Sequence, residues 1–197
     1  MDPQDFFSQH LILENEHALL TPLMESDLKE LGSVAFDSRI WKHGLSNLQN
    51  EEDLIIYIKE ALNERKAGSS YPFKIFDKQR NRVAGSTRFG NISLANKRAE
   101  IGWTWLHPDF HGSGLNMSCK FLLLKYAFET LQLNRIELKT DVLNLQSRKA
   151  ILKIGAKEEG IFRKHMVAST GRVRDSIYFS IINEEWPKLK GTVFAGL

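Results

Sequence analysis

Two glycines between an apolar strand and an apolar helix are the residues best placed to do chemistry. Gly112 and Gly114 follow the strand-like segment 100–106 and precede an apolar stretch that starts at Leu115. Because glycine reaches positive φ and carries no side chain, the loop's N–H groups can converge with the unpaired N–H groups of the first helical turn. The helix dipole makes that place positive, so the pattern predicts a phosphate-binding loop. Two glycines alone are equally consistent with a tight turn into a buried helix.

The loop does not have the form of the common nucleotide-binding loops. A Walker loop ends in Gly-Lys-Ser/Thr, whereas Gly114 is followed by Leu115 and Asn116. A dinucleotide fingerprint has three spaced glycines and a later acidic residue in a βαβ unit. Neither pattern fits, so a protein that uses this loop for ATP is the weakest hypothesis for its function.

A second group of polar residues follows the next predicted strand. Asn144 and Ser147 lie at the start of a short predicted helix, and Gly155 lies at its end. Helix capping accounts for Asn144 and Gly155 without any function, and a serine at a helix start often bonds locally to the backbone. Capping does not account for the combination of this group with a phosphate loop one strand earlier.

Hydrophobic patterning predicts the elements that position these two groups. Alternating or apolar runs predict strands at 17–23, 71–76, 82–89, 100–106, 135–140, 157–168 and 172–183. Helices are expected near 25–35, from Asn50 onward, at 115–131 and at 145–154, whereas 36–50 is expected to be irregular. This order predicts an α+β or mixed α/β fold with helices on a largely antiparallel sheet.

Two local patterns give sharper expectations. The helix over 115–131 is apolar on most sides, with one narrow wet face formed by Ser118, Lys125, Glu129 and Gln132. In the strand before it, simple alternation places Trp103 and Trp105 on one face with Ile101, and Gly102 and Thr104 on the other. The two tryptophans are expected to pack in the core, with the wall of an acceptor pocket as the rarer alternative.

Composition narrows the class of protein. The chain has 197 residues, 42% of them hydrophobic, which suffices for one well-buried core, and its net charge of +3 is spread without a basic run, so no nucleic-acid partner is expected. Cys119, the only cysteine, excludes a disulfide framework and suits a small buried hydrophobe. No metal is expected, since His107 and His111 flank Pro108 and so would not share a helix face.

Because there is no leader pattern and no membrane-spanning apolar run, no membrane partner is expected and the protein is expected to be cytoplasmic.

The combined segments resemble the GCN5-related N-acetyltransferases, and more closely the RimJ/RimL-type branch that acetylates ribosomal-protein N-termini and small-molecule amines. The resemblance runs from 20–23 to 177–182, and its motifs lie at 99–108, 111–116, 139–147 with Ala150 and Gly155, and 171–176. It implies a single acetyltransferase domain over 1–197 with a core at about 17–184. In this fold a mixed, mostly antiparallel sheet flanked by helices is splayed where coenzyme A inserts.

The family's loop has the form Gln/Arg-x-x-Gly-x-Gly/Ala and holds the pyrophosphate of coenzyme A with backbone N–H groups. Here His111, Gly114 and Asn116 take those three positions, so the chain departs from the pattern at both ends. His111 is expected either to direct a ring N–H at a phosphate or to be an ordinary surface residue. The coenzyme A contacts implied by the resemblance are Leu106, His107, His111, Gly112, Ser113, Gly114, Leu115, Asn116, Asn144 and Ser147.

The resemblance also implies catalytic roles. Many relatives protonate the leaving thiolate with a tyrosine on the helix after the fifth strand, but Ile151 occupies that position here. Ser147 matches a serine that does so in the RimJ/RimL-type branch, and Asn144 is expected to bond the pantetheine arm or a water near the thioester. Glu100 is the candidate general base, with a solvated strand-end acid as the alternative and Asp141 as the second candidate.

The expected reaction is acetyl transfer from acetyl-CoA to a primary amine by direct attack in a ternary complex. The acceptor is expected to be a protein N-terminus or a small-molecule amine, and Trp41 and His43 are candidate contacts to it. No nucleophile with an adjacent base is apparent, so no covalent acyl-enzyme is expected. The main alternative is an acyl-CoA-binding regulatory module without catalysis. The oligomeric state stays open, with a dimer among the options.

Overall fold

The computed structural model describes residues 3–197, so the first two residues of the expected domain lie outside it. The strands are β1 (Leu13–Glu14), β2 (Ala18–Pro22), β3 (Tyr71–Asp77), β4 (Arg82–Ser93), β5 (Arg98–Leu106), β6 (Arg135–Asp141), β7 (Lys157–Val167) and β8 (Val173–Ile182). The helices are α1 (Pro3–Ser8), α2 (Leu28–Ala35), α3 (Ser38–Trp41), α4 (Glu51–Lys66), α5 (Leu115–Lys125), α6 (Leu145–Lys153) and α7 (Trp186–Thr192). A π-helical turn, Tyr126–Thr130, continues α5.

The eight strands form one sheet in the order β1-β2-β3-β4-β5-β6-β8-β7. Among the described strands, β5 and β6 make the one parallel pair, and every other neighbouring pair is antiparallel. Helix α5 supplies the crossover that a parallel pair requires. The expected mixed, mostly antiparallel sheet with flanking helices is therefore confirmed.

The sheet splits between β5 and β6, its parallel pair. Strands β5 and β6 pair only from Arg98 to Glu100 against Arg135 to Glu137, although β5 continues to Leu106 and β6 to Asp141. Beyond Glu100 the two strands therefore diverge and leave a V-shaped opening in the sheet. Backbone N–H and C=O groups along the V lack a partner strand, so they are available to an extended ligand.

The two faces of the sheet carry different buried clusters. The face that packs on α5 and α6, here the α5 face, buries Ile101 and Leu138 with Ile151 of α6. The opposite face, here the α4 face, packs on α2 and α4 and buries Trp105 with Trp41. Because side chains alternate along a strand, Glu100 and Lys139 belong to the α4 face.

A β-bulge interrupts β5 beside the V. Ser86 pairs with Trp105 and Arg88 pairs with Gly102, so two residues of β5 lie opposite one residue of β4. Trp103 takes a φ of +49°, which is rare for a bulky residue and marks the bulge as a strained segment.

The bulge overturns the alternation expected for β5. Ile101 joins the cluster on the α5 face, whereas Trp105 joins the cluster on the α4 face, so they do not share a face. Thr104 bonds Lys120 of α5, so it lies on the α5 face, whereas Gly102 packs against the side chain of Glu100. The expectation was wrong because the extra residue shifts the alternation by one.

The helix expected over 115–131 is α5 with its π-helical turn, but its wet face differs from the expectation. Lys125, Glu129 and Gln132 are exposed, whereas Ser118 is fully buried. Lys120, a charged residue, is also buried on this helix. The prediction failed for Ser118 because a serine is small enough to lie under a packed sheet.

Most other boundaries follow the local signals. Asn50 caps α4 by accepting a hydrogen bond from the Asp53 N–H at 3.0 Å. Gly155 ends α6 with a φ of +88°, which favours glycine, and a Cβ there would lie 2.3 Å from Leu189 Cδ2 and displace that side chain. The segment 36–50 was expected to be irregular but contains α3, whose N-cap is Asp37.

Candidate active site

The loop between β5 and α5 presents backbone N–H groups that have no protein acceptor. Gly112 and Gly114 take left-handed φ values of +75° and +86°, and a Cβ at either would meet no atom within 4 Å. Within residues 3–197, the N–H groups of Gly112, Gly114, Asn116 and Met117 donate to no protein group. Together with the dipole of α5 they form a positively polarised cradle open to solvent.

The other N–H groups of this loop are used to hold its shape. Those of His111 and Ser113 donate to the carbonyls of Pro108 at 3.0 Å and Phe110 at 3.4 Å. The hydroxyl of Ser113 accepts from the Leu115 N–H at 3.3 Å and donates to the Phe110 carbonyl at 2.8 Å. The loop is therefore fixed internally, and free and bonded N–H donors alternate from His111 to Asn116.

Both ring nitrogens of His111 are bonded to protein groups. With Nε2 as the donor, they bond the Leu106 carbonyl and the side-chain amide of Gln146, each at 3.2 Å. His111 therefore fastens the loop to α6, and its ring does not direct an N–H at a phosphate. His107 lies beside the loop, where its Nδ1 accepts from the Asp109 N–H at 3.3 Å.

The start of α6 lies across the V from the loop. Asn144 caps the helix, since its Oδ1 accepts from the Ser147 N–H at 3.0 Å. Ser147 lies one turn before the buried Ile151, so the two share a helix face. Within residues 3–197, the Ser147 hydroxyl has no hydrogen-bond partner. The capping explanation therefore holds for Asn144 but leaves the Ser147 hydroxyl uncommitted.

Glu100 is buried at the base of the V, and its side chain is 4% exposed. Its Oε2 accepts from Lys139 Nζ at 2.9 Å and from Asn91 Nδ2 at 2.7 Å. A Cβ at Gly102 would lie 2.8 Å from Oε1, so the carboxylate leans along β5 toward the bulge. The alternative of a solvated strand-end acid is wrong because the carboxylate is buried and ion-paired.

Asp141, the second candidate base, lies at the end of β6 and is also buried. Its carboxylate forms an ion pair with Arg172 and accepts from the Leu143 N–H at 3.0 Å. Asp141 therefore links the turn between β6 and α6 to the turn between β7 and β8.

Aromatic rings and cations line the α4 face beside the V. Lys139 Nζ lies 5.7 Å from the ring centre of Trp103 and 5.8 Å from that of Tyr178. The Arg88 guanidinium lies 5.2 Å from the same Trp103 ring. A bound amine beside the V on this face would meet π-faces and the buried carboxylate of Glu100.

The two candidate acceptor contacts in 36–50 are placed differently. Trp41 is buried, where its ring lies 5.4 Å from that of Trp105 and its Nε1 donates to the Ala35 carbonyl at 2.8 Å. His43 is half-buried, and its carbonyl faces Arg174 of β8 at 3.5 Å. The segment thus closes over the α4 face.

Lys120 and Cys119 are buried side by side on α5, under the bulge. Lys120 Nζ donates to Thr104 Oγ1 at 2.8 Å, and Thr104 Oγ1 lies 2.7 Å from Thr87 Oγ1. Burial lowers the pKa of the Lys120 amine to about 8 and raises the pKa of the Cys119 thiol to about 12. Cys119 is thus a buried small hydrophobe, as expected.

Lys120→Met is expected to remove a pH-dependent part of the stability. An unfolded lysine has a pKa near 10.4, so between pH 8 and about pH 10 the unfolded chain binds a proton that the folded chain has released. The free energy of unfolding therefore gains from this group as pH rises through that range. Urea unfolding of both proteins at several pH values tests this, because the difference should grow with pH in favour of the unchanged chain. A pH-independent difference would contradict it.

The sequence did not indicate the partners of the candidate residues. Lys139 and Asn91 bind Glu100, and Arg172 binds Asp141; Lys139 and Arg172 are remote in sequence from the carboxylates they contact, and Asn91 lies on the neighbouring strand β4. Strand alternation put Lys139 on a polar face but could not say what lay opposite, because that depends on the register of β5 with β6.

Metal-binding clusters and membrane-spanning helices are both absent from the part of the chain that the structure describes. In residues 3–197, no three His, Cys, Asp or Glu side chains are grouped as a metal site would need. No helix in that part has the length and apolar character needed to cross a bilayer.

Comparison with known proteins connects this geometry to a family. A model of the acetyltransferase (GNAT) domain matches residues 17–157. A Bacillus subtilis (strain 168) protein, provisionally named a ribosomal N-acetyltransferase, is 35% identical over 104 residues, and this match spans 53% of the chain but only 56% of the relative. The ribosomal-protein-serine acetyltransferase of Escherichia coli (strain K12) is 25% identical over 175 residues, which is 87% of this chain and 96% of that protein.

Solved structures give the same result for the fold. A GCN5-related N-acetyltransferase from Brucella melitensis superposes with a TM-score of 0.87 and 28% identity, covering 95% of this chain and 85% of that one. The family model covers most of the chain, including the V, the loop and α6. The protein therefore belongs to the GNAT family of acetyltransferases.

Proposed function

We propose that the protein transfers an acetyl group from acetyl-CoA to a primary amine, by direct attack of the amine in a ternary complex. The observation that carries this proposal is the cradle of four unbonded N–H groups at the start of α5, beside a V whose strand edges are unpaired. An anionic cosubstrate with an extended amide-containing arm fits both features.

The pyrophosphate of acetyl-CoA is placed on the N–H groups of Gly112, Gly114, Asn116 and Met117. The pantetheine arm runs from there into the V, where the edge of β5 can pair with its amides. Leu115 is buried in the core and Ser113 shapes the loop, so these two act by holding the backbone in place. His111 fastens the loop, on one side of the V, to α6 on the other side.

In the proposed reaction, the neutral amine attacks the thioester carbonyl carbon. A C–N bond forms as the C–S bond breaks, and coenzyme A leaves as a thiolate. Ser147 donates its uncommitted hydroxyl proton toward the sulfur, where negative charge develops in the transition state. Glu100 takes the proton that the amine loses, directly or through a water.

The acceptor is placed on the α4 face, opposite α5 and α6. A protein N-terminus is the first acceptor class to test, because the Escherichia coli relative is named for a ribosomal-protein serine. Small-molecule amines are the second class. The alternative of an acyl-CoA-binding module without catalysis rests on Ile151 at the position of the family's tyrosine and on the altered loop ends at His111 and Asn116.

The function is tested by binding and then by turnover. Acetyl-CoA, coenzyme A and ATP are titrated by calorimetry, and a panel of peptides and small amines is then screened for thiol release. Binding of coenzyme A with thiol release from an amine supports the proposal. Binding of coenzyme A without turnover on a broad panel favours the regulatory module, and selective binding of ATP contradicts both.

Glu100→Gln is expected to lower kcat/KM by about tenfold at neutral pH and to flatten the acidic limb of its pH profile. The physical reason is that the buried carboxylate beside the bulge is the group proposed to accept the amine's proton. The measurement is the pH dependence of kcat/KM for the unchanged and variant proteins.

Stability alone cannot decide this prediction, because Glu100→Gln leaves Lys139, whose side chain is only 13% exposed, without its ion-pair partner. Breaking a buried pair costs about 3–5 kcal/mol whether or not the carboxylate is a base. The double variant Glu100→Gln/Lys139→Met removes both charges and should regain much of that stability, yet its acidic limb should stay flat. A restored acidic limb in the double variant would exclude Glu100 as the base and favour Asp141 or the amine itself.

A further inference from the structure

Arg174 of β8 is a buried cation without a carboxylate partner. The residue is 5% exposed, and no carboxylate oxygen within residues 3–197 lies within 4.0 Å of its guanidinium. Its Nε donates to Ser176 Oγ at 3.2 Å, and its Nη1 lies 3.5 Å from the His43 carbonyl, which is a long contact. Nη2 makes no hydrogen bond to the described protein.

The other buried arginine shows what this arrangement lacks. Arg88 is 2% exposed, and its Nη1 pairs with Glu64 Oε2 at 2.9 Å. A buried charge without a direct ion pair is unfavourable, so a buried arginine of this kind is a candidate site for an anionic group of a ligand. Arginine is suited to that task because its planar donors match the two oxygens of a carboxylate.

Arg174 also lies in the right place for an acceptor. Its guanidinium turns back toward Ser176. In the sheet Ser176 pairs with Asp141 and Tyr178 pairs with Lys139, so the two pairs lie two residues, or about 7 Å, apart along the strands. The segment that contains His43 closes over it from the α4 side. The guanidinium is therefore beside the face where the amine is placed, beneath a loop that encloses it.

The local ion pairs point the same way. On this face the carboxylates of Glu100 and Asp141 form their direct ion pairs with Lys139 and Arg172, which leaves Arg174 as the one cation of this group without a direct ion pair, although Asp141 and Glu100 still attract it from a distance. Burial lowers the pKa of Arg174, which reflects the cost of keeping this charge away from water.

We propose that the acceptor carries a carboxylate near its amine and that Arg174 binds this carboxylate. The inference rests on the proposed acetyl transfer and narrows its acceptor to an amine that is also an acid. The carboxylate is either the α-carboxylate of a free amino acid or an acidic side chain among the first residues of a peptide.

Matched acceptor pairs test this. In one arm, free L-amino acids are compared with their α-amides; in the other, tripeptide amides with aspartate at position 1, 2 or 3 are compared with the same peptides bearing asparagine. In at least one arm, the acidic acceptor is expected to have a kcat/KM about tenfold higher than that of its matched amide. The arm that shows this difference identifies whether the bound carboxylate is an α-carboxylate or an acidic side chain. Equal use of acids and amides by the unchanged protein would overturn the proposal.

Variants connect the preference to this residue. Arg174→Gln should reduce the acid preference to about threefold or less while coenzyme A affinity is retained, and it should not lower the melting temperature, because it removes an unpaired buried charge. Arg163→Gln, on an exposed arginine of β7, should keep the preference. If Arg174→Gln does not fold, Arg174→Lys replaces it, since lysine keeps the charge but loses the paired donors. A preference retained in the folded variant contradicts the proposal.

Failure of the proposed function has a different signature. If no amine in either arm is acetylated, the same pairs are titrated by calorimetry into the coenzyme A-bound protein. Acid-selective binding that is lost in the Arg174 variant supports the carboxylate site without catalysis. Absence of acid-selective binding overturns it.

Discussion

Replacing Ser147 with alanine is expected to lower kcat by about 10- to 10³-fold while the affinity for acetyl-CoA stays near that of the unchanged protein. The hydroxyl bonds no described protein group and lies at the start of α6, on the helix face that also carries Ile151. A group that acts on the leaving sulfur contributes in the transition state and little in the ground state. Steady-state kinetics with a saturating amine, together with calorimetry of acetyl-CoA, gives both quantities.

Two variants separate catalysis by the hydroxyl from its place in the helix. Ser147→Thr retains a hydroxyl and should recover most of the activity. Asn144→Ala removes the N-cap and should lower the free energy of unfolding by about 0.5–2 kcal/mol, whereas Ser147→Ala should not, because its hydroxyl makes no cap. Unchanged kcat in Ser147→Ala would move the proton donor to water or another residue.

Periodicity predicted the longer strands and helices, because most of them bury one face, but it missed the short elements α1, β1, α3 and α7. Strand β6 alternates Ile136 and Leu138 with Glu137 and Lys139, and the structure buries the first pair on the α5 face. The same reasoning failed in β5, where Trp103 and Thr104 lie at a bulge. A bulge is a property of two paired strands, so a pattern read along one strand cannot show it.

The loop could be predicted because glycine marks a backbone conformation directly in the sequence. Gly112 and Gly114 both take the left-handed φ that their residue type allows. The surroundings of Glu100 could not be predicted in this way, since its partner Lys139 is 39 residues away and on another strand. The lack of a partner for Arg174 is harder still to predict, because it depends on where every carboxylate of the fold lies.

Replacing Gly114 with valine is expected to weaken coenzyme A binding by more than about tenfold, which corresponds to about 1.4 kcal/mol or more. The φ of +86° at this position is outside the range that a β-branched residue accepts, so the loop must shift and its N–H groups no longer converge. The new side chain would also occupy the open space in front of those donors, where the pyrophosphate is placed. Calorimetry with coenzyme A measures the loss.

Gly171→Val is the matched control, because Gly171 has a φ of +81° and a Cβ there would likewise meet no atom within 4 Å. It lies in the β7–β8 turn, away from the loop, so it introduces the same backbone strain without touching the cradle. If both variants fold and only Gly114→Val loses coenzyme A, strain by itself is not the cause. Equal coenzyme A affinity in Gly114→Val and the unchanged protein would remove the loop from the proposed mechanism, and the four unbonded N–H groups would then need another explanation.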